Sequence, residues 1–189
     1  MNIQSAKFLK SVVGPDVLFE DGRPQIAFIG RSNCGKSSTI NALTKQGGLA
    51  KTSAFPGRTQ QMNVFLVNQS LYFVDLPGYG FTKTSAEGRE KLQQLIHWYL
   101  LNSRYEQKKV VLIVDANVGL TREDSQMLYS LEEKGKDIII AANKIDKIKK
   151  SEYVKKLQKI QDEVGEHEIV PYSAEKNIGV KELVNAILA

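Results

Sequence analysis

The sequence predicts an α/β domain whose mostly parallel sheet is covered by helices on both faces. Three observations carry that expectation. Gln25-Ile26-Ala27-Phe28-Ile29 reads as a buried strand that leads through a short turn into a helical stretch, Ser37-Ser38-Thr39-Ile40-Asn41-Ala42-Leu43. Val110-Val111-Leu112-Ile113-Val114 and Ile138-Ile139-Ile140-Ala141-Ala142 are continuous apolar runs, as strands buried on both faces are. Between and after these runs, apolar residues recur at helical spacing.

The chain has 189 residues, enough for one domain that buries roughly 70% of the surface its unfolded chain exposes. Cys34 is the only cysteine, so no intramolecular disulfide forms. No apolar run of signal-peptide length follows a basic start, and none approaches the roughly 20 residues of a membrane span. A soluble, cytoplasmic protein with no membrane partner is therefore expected. The net charge of +5 permits a nucleic-acid partner and equally suits a lysine-rich solvated surface.

Residues 1–24 read as an N-terminal extension lying on a single domain of residues 25–189. Ser5 to Val13 suits a short strand or extended arm, and turn signals follow at Gly14-Pro15 and Asp21-Gly22-Arg23-Pro24. The turn after the first buried strand, Gly30-Arg31-Ser32-Asn33-Cys34-Gly35-Lys36-Ser37, matches G-x-x-x-x-G-K-[ST] at every fixed position. Such a turn aims successive backbone N–H groups at a polyphosphate, and the helix behind it adds its positive end. Lys36 would reach the β- and γ-phosphates, and Ser37 would place a hydroxyl on Mg²⁺.

Residues 46–61 lack an apolar period and read as a loop long enough to be functional. Met62–Val67 and Leu71–Asp75 read as a hairpin turning at Asn68-Gln69-Ser70. Asp75 closes the second strand before Leu76-Pro77-Gly78, where a nucleotide-binding domain needs a carboxylate for Mg²⁺, held through water. Thr59 would add a hydroxyl to the same ion once a γ-phosphate is bound. Leu92, Leu95, Ile96, Tyr99 and Leu100 mark one helix face. His97 and His167 lack a second His or Cys at ligand spacing and are read as surface or packed residues.

The strand 110–114 ends at Asp115, and Thr121-Arg122-Glu123-Asp124 resembles a capped helix start, with Met127, Leu128 and Leu131 facing inward. The strand 138–142 delivers Asn143-Lys144-Ile145-Asp146. A carboxylate at Asp146 accepts from both N1–H and the N2 amine of guanine, a pair adenine does not offer, so GTP and GDP are favoured over ATP. Asn143 would contact the purine edge and brace the phosphate loop, and the stem of Lys144 would cover the base. A further helix begins at Ser151 with Val154, Leu157, Ile160 and Val164 along one side, in a lysine-rich neighbourhood read as a solvated face or, alternatively, an RNA contact. Glu168–Pro171 is a short strand, followed by Tyr172-Ser173-Ala174, where the Ala174 N–H would donate to guanine O6. Val180, Leu183, Val184, Ile187 and Leu188 form the last amphipathic helix.

The ordered set GRSNCGKS, PGRTQ, DLPGYG, NKID and YSA resembles the EngB (YihA/YsxC) family of bacterial ribosome-assembly GTPases, over nearly the whole chain. Arg58 stands where that family commonly has lysine, and Asn143 where it often has threonine. The resemblance implies a Ras-like P-loop GTPase domain with a six-stranded sheet. It implies a nucleotide site made of Gly30, Arg31, Ser32, Asn33, Cys34, Gly35, Lys36, Ser37 and Ser38; of Gly57, Arg58 and Thr59; of Asp75, Leu76, Pro77 and Gly78; and of Asn143, Lys144, Asp146, Tyr172, Ser173 and Ala174. Lys36, Thr59 and Gly78 would be catalytic, and residues 46–61 and 78–90 would be the two switches. Asn33 stands where potassium-stimulated relatives hold K⁺. Tyr79 replaces the glutamine that orients water in many GTPases, so slow hydrolysis is expected. The implied role is a monomeric switch in assembly of the large ribosomal subunit, with precursor rRNA and ribosomal proteins as partners, and with an effect on cell division through ribosome supply. A nucleotide-stabilised RNA-binding scaffold is the alternative.

Overall fold

Among the residues that the computed structural model describes, 2–51, 61–80 and 85–189, seven strands share one sheet. They are β1 (Ala6–Val12), β2 (Gln25–Gly30), β3 (Met62–Val67), β4 (Leu71–Asp75), β5 (Gln107–Asp115), β6 (Ile138–Asn143) and β7 (Glu168–Pro171). Their order is β1-β3-β4-β2-β5-β6-β7. The pairs β1/β3 and β3/β4 are antiparallel and the remaining four are parallel.

The expected six strands thus become seven, because the N-terminal arm is an edge strand. A register shift between Phe8 and Lys10 breaks its two-residue alternation, and of its residues only Val12 is fully buried, so the apolar pattern reads as mixed. The Asn68 side chain ties this arm to the β3–β4 turn by accepting from the N–H groups of Gln4 and Ser5 and donating to Asn2 O.

The two faces of β2 show how the sheet fills both sides. Ala27 and Ile29 join a core with α2 (Ala86–His97), α3 (Arg122–Glu133) and α4 (Tyr153–Val164), through Leu95, Ile96, Met127, Leu128, Leu131, Ile160 and Val164. Ile26 and Phe28 join the opposite core with α1 (Lys36–Thr44) and α5 (Val180–Leu188), through Ile40, Leu43, Leu183, Val184 and Ile187. Both faces are covered, as the continuous apolar runs require.

Two helices depart from expectation. The α2 pattern continues through a π-helical turn, Trp98–Asn102, which buries Tyr99 and Leu100 and presents the Tyr99 carbonyl to Gln107 Nε2 at 3.1 Å. Before α4, Lys150–Glu152 form a 3₁₀ turn, so the α-helical phase begins at Tyr153. Tyr153, Leu157, Ile160 and Val164 then face the core, and Val154, expected to face inward, is 77% exposed.

A polar cluster closes the end of the sheet away from the strand carboxyl ends. The buried Tyr99 hydroxyl donates to Gln25 Oε1 at 2.7 Å, and Lys136 Nζ donates to Gln107 Oε1 at 2.8 Å. Tyr99→Phe withdraws the donor from a buried acceptor and should lower stability by about 1–3 kcal/mol. Urea unfolding reads this directly, and an unchanged midpoint would contradict the assignment.

Candidate functional site

The parallel register brings the carboxyl ends of β2, β4, β5 and β6 to one edge, where Phe28 pairs with Asp75 and Asp115 with Asn143. Open α/β sheets bind ligands at this edge, beside the strands where connections diverge. Four loops meet there.

Residues 31–35 form the first loop, and α1 follows with Gly35 at its N-cap in a left-handed conformation (φ 107°) and no side-chain cap. A Cβ at Gly35 would overlap Asn143 Nδ2, so neither the dihedral nor the space admits another residue easily. The first turn of α1 therefore presents N–H groups that the helix itself cannot satisfy, with no acidic residue within that turn. Lys36, 9% exposed, donates through Nζ to Gly30 O at 2.9 Å and Arg31 O at 3.0 Å, which holds a cation over the loop. The Cys34 side chain is buried in the core, where burial pushes its thiol pKa up, so the residue serves the loop through its backbone. Ser38 is partly buried on α1, and Asn33 is exposed with φ 66°.

Asp75 is 3% exposed at the end of β4. Its Oδ2 accepts from Ser37 Oγ at 3.1 Å, and among the described residues its Oδ1 is buried without a partner. Burial pushes its carboxyl up to about 6, and nearby Lys36 and the Ser37 hydroxyl oppose that rise without cancelling it. Leu76 and Pro77 are buried, and Leu76 belongs to the core, so they hold the segment in place rather than facing solvent. Gly78 and Tyr79 lie against the phosphate loop, with Ser32 N–H donating to Tyr79 O at 2.9 Å and Ser32 Oγ to Gly78 O at 3.3 Å. The Tyr79 ring turns into the core, where its hydroxyl donates to Asp124 Oδ1 at 2.5 Å. Burial, followed by the Asp124 charge, pushes that hydroxyl's pKa well up, so it stays protonated.

At the other end of the edge, Asn143 donates from Nδ2 to Cys34 O at 2.9 Å and accepts through Oδ1 from Lys144 N–H at 2.8 Å and Ala174 N–H at 3.1 Å. The Ala174 amide, expected to face a purine, is engaged by this side chain. Lys144, in the left-handed region at φ 66°, donates to Asn33 O at 2.7 Å and pairs with Asp115 Oδ2 at 2.8 Å. Asp146 Oδ1 accepts from Ser173 Oγ at 2.6 Å. Burial raises its pKa, but the bonds from Ser173 and Lys147 outweigh burial and hold the carboxyl below its ordinary value, so Asp146 is an ionised acceptor. Tyr172 is fully buried and points its hydroxyl at Thr39 Oγ1, 2.6 Å away on α1, rather than toward the strand edge.

Gly57, Arg58 and Thr59 lie outside the described residues. The remaining expected residues converge on one edge through side chain or backbone. The structure adds Asp115, which holds Lys144, Thr39, which holds Tyr172, and Asp124, which holds Tyr79. The sequence marks Asp115 as a strand end and Asp124 as part of a helix cap, and neither pattern signals these pairings. The two histidines stay apart from this edge: His97 is exposed on α2, and His167 Nε2 lies 2.8 Å from Glu132 Oε1.

A family model described as "50S ribosome-binding GTPase" matches residues 25–144, and one described as "Elongation factor Tu GTP binding domain" matches residues 104–189. The "Probable GTP-binding protein EngB" of Clostridium perfringens is 41% identical over 188 residues, covering 98% of this chain and 95% of that protein. Its counterpart in Bacillus subtilis is 39% identical over 190 residues, covering 99% and 97%. A crystal structure of a probable GTP-binding protein engB superposes with a TM-score of 0.71 at 24% identity, over 87% of this chain and 96% of that one, and supports the fold. Era in complex with MgGDPNP and nucleotides 1506–1542 of 16S ribosomal RNA gives a TM-score of 0.71 at 27% identity, over 87% of this chain and 55% of that one. With a Ras-like fold, a GTPase family match over more than half its length and EngB proteins aligned along nearly all of it, the chain belongs to the EngB family of GTP-binding proteins and is a GTPase.

Proposed function

We propose that the chain is a cytoplasmic, monomeric GTP-driven switch in assembly of the large ribosomal subunit, acting on precursor rRNA and ribosomal proteins and thereby on cell division. The observation that best supports its nucleotide chemistry is Asp75: a buried carboxylate with one oxygen on Ser37 and the other unpartnered among the described residues. An oxygen-lined spot of this kind beside a phosphate loop suits Mg²⁺, which prefers one or two carboxylates plus substrate phosphates. Ser37 and, through water, Asp75 would hold the ion, with Thr59 as a third contact. Bound Mg²⁺ supplies charge neutralisation at the β- and γ-phosphates.

The chain's own groups do the rest. The phosphate-loop amides of residues 30–38 and the α1 terminus bind the polyphosphate, and Lys36 places its ammonium on the γ-phosphate side. Gly57, Arg58 and Thr59 would approach the γ-phosphate from the first switch. Gly78 would offer its N–H to the same group from the second switch, behind Leu76 and Pro77. Asp146, Lys144 and Asn143 with Ser173 and Ala174 select guanine, and Tyr172 braces them against α1. Water attacks the γ-phosphorus in line, and its new P–O bond forms as the bond to the bridging oxygen breaks, giving GDP and inorganic phosphate. Tyr79 is turned away and cannot orient that water, so the unaided rate should be on the order of 10⁻⁴ s⁻¹. The ribosomal role draws its support from the name of the matching family, from the rRNA in the Era complex and from the net positive charge.

Three outcomes are expected. With fluorescent nucleotides, GDP and GTP should bind at least roughly a hundredfold tighter than ATP, since two charge-assisted bonds are lost with adenine; in the same buffer the protein should pellet with immature large subunits only when GTP is bound. Nucleotide-independent pelleting would favour the scaffold, and tight ATP binding would overturn the base assignment. Asp75→Asn should stabilise the nucleotide-free protein at pH 8 while abolishing the Mg²⁺ dependence of binding. The sign follows from the raised pKa: the folded chain holds this proton more tightly than the unfolded chain, so stability is full below 3.8 and declines as pH rises through about 6. An unchanged melting temperature at pH 8 would contradict it. Exchanging KCl for NaCl should slow turnover if Asn33 holds K⁺, and equal rates with and without ribosomal particles would remove that ion from the scheme.

A further inference from the structure

We propose that the Tyr79–Asp124 hydrogen bond is a latch that sets Gly78 against the phosphate loop, making Tyr79 and Asp124 positioning residues for recognition of the γ-phosphate rather than for nucleotide binding as such. The inference rests on the assignment of Gly78 to the γ-phosphate made above. Its footing is a pair of buried groups that the reaction itself does not use. Tyr79 is 6% exposed and Asp124 2% exposed. Asp124 is fully committed: Oδ1 accepts from the Tyr79 hydroxyl, while Oδ2 accepts from both the N–H and the hydroxyl of Thr121, each at 2.9 Å. The carboxylate sits in the first turn of α3, where the positive end of the helix favours its charge, and the Tyr79 bond is accordingly charge-assisted.

The peptide between Gly78 and Tyr79 is held from two directions. Its backbone extends the parallel pairing onto the phosphate loop through a bridge between Arg31 and Tyr79 and the bond from Ser32 N–H. Its ring is held through Asp124 to α3. The approach is close enough that a Cβ at Gly78 would stand 2.7 Å from Lys36 Nζ and 2.9 Å from Ser32 N. A backbone this near the Lys36 ammonium has little room to move, and while the Ser32 hydroxyl bonds Gly78 O from within the phosphate loop, the Tyr79 side chain ties the segment to α3. The position where other GTPases orient water is used here to orient the backbone.

Tyr79→Phe keeps the ring and removes only the hydroxyl, so the domain should fold. Dissociation constants for GDP and for a non-hydrolysable GTP analogue, together with turnover, read the latch. The variant should bind GDP within twofold of the parent but lose on the order of tenfold in analogue affinity, with kcat falling alongside. Asp124→Ala should give the same loss, and the double variant no more, because both remove one bond. Asp124→Asn still bonds the Tyr79 hydroxyl in either amide orientation and should restore discrimination even where losing the helix cap lowers the melting temperature. If Tyr79→Phe leaves the ratio of the two affinities unchanged, or if the single losses multiply in the double variant, the latch is overturned. Gly78→Ala separates the two levels: discrimination retained there removes the reading of Gly78 itself, whereas discrimination lost there and kept in Tyr79→Phe removes the latch alone.

Discussion

One buried amide organises the nucleotide edge. Asn143 is 3% exposed, and its side chain joins three loops at once: it donates to the phosphate loop at Cys34 O and accepts from the amides of Lys144 and Ala174. Only one orientation of the amide satisfies all three bonds, since two partners are N–H groups and one is a carbonyl. The same contact explains Gly35, whose missing side chain leaves the space that Asn143 Nδ2 occupies. The loops proposed to read phosphate and base therefore share a single mechanical joint. The Lys144 bond to Asn33 O and the Tyr172 bond to Thr39 repeat the coupling on either side of it.

Opposite this joint the structure holds a cost rather than a bond. Burying Asp75 with one oxygen unpartnered among the described residues opposes folding in the absence of a cation, and its raised pKa registers that conflict. Local rules of satisfaction fail most often where a ligand completes them. The positively charged Lys36 sits nearby but spends two of its donors on the loop carbonyls of Gly30 and Arg31, so it opposes the Asp75 shift by charge without pairing to it. The proposed site is thus tied together by hydrogen bonds at its base end and electrostatically incomplete at Asp75.

What could be read from the chain alone follows the range of the interactions. The phosphate loop and the Asn143 to Asp146 motif were legible because their chemistry is fixed by spacing over a few residues, and the buried strands because burial on both faces leaves continuous apolar runs. The edge strand β1 was blurred by its register shift, and Val154 was misplaced because on α4 it lies beyond the edge of the arc that Tyr153, Leu157, Ile160 and Val164 share. The pairs Asp115 with Lys144, Tyr79 with Asp124 and Thr39 with Tyr172 join residues 29, 45 and 133 positions apart, and no local pattern announces them.

These long-range pairs share a design. In each, a side chain that touches or borders the nucleotide edge is held by a second one rooted in a different element: Lys144 by the end of β5, Tyr172 by α1, Tyr79 by the start of α3. Asp115 and Asp124 are the ends of this arrangement nearest each other in sequence, joined by the β5–α3 connection. That connection is itself fastened, because Asp115 Oδ1 accepts from Asn117 N–H at 3.0 Å and Asp124 closes the cap with Thr121. The base-side lysine and the phosphate-side tyrosine are consequently anchored to one short stretch, residues 115–124, which contributes no atom to the proposed nucleotide contacts. A displacement of that stretch would act on both ends of the site together, and a change at the phosphate loop reaches it through Tyr79, through Lys144 and through Asn143, whose carbonyl accepts from Ala116 N–H at 2.8 Å.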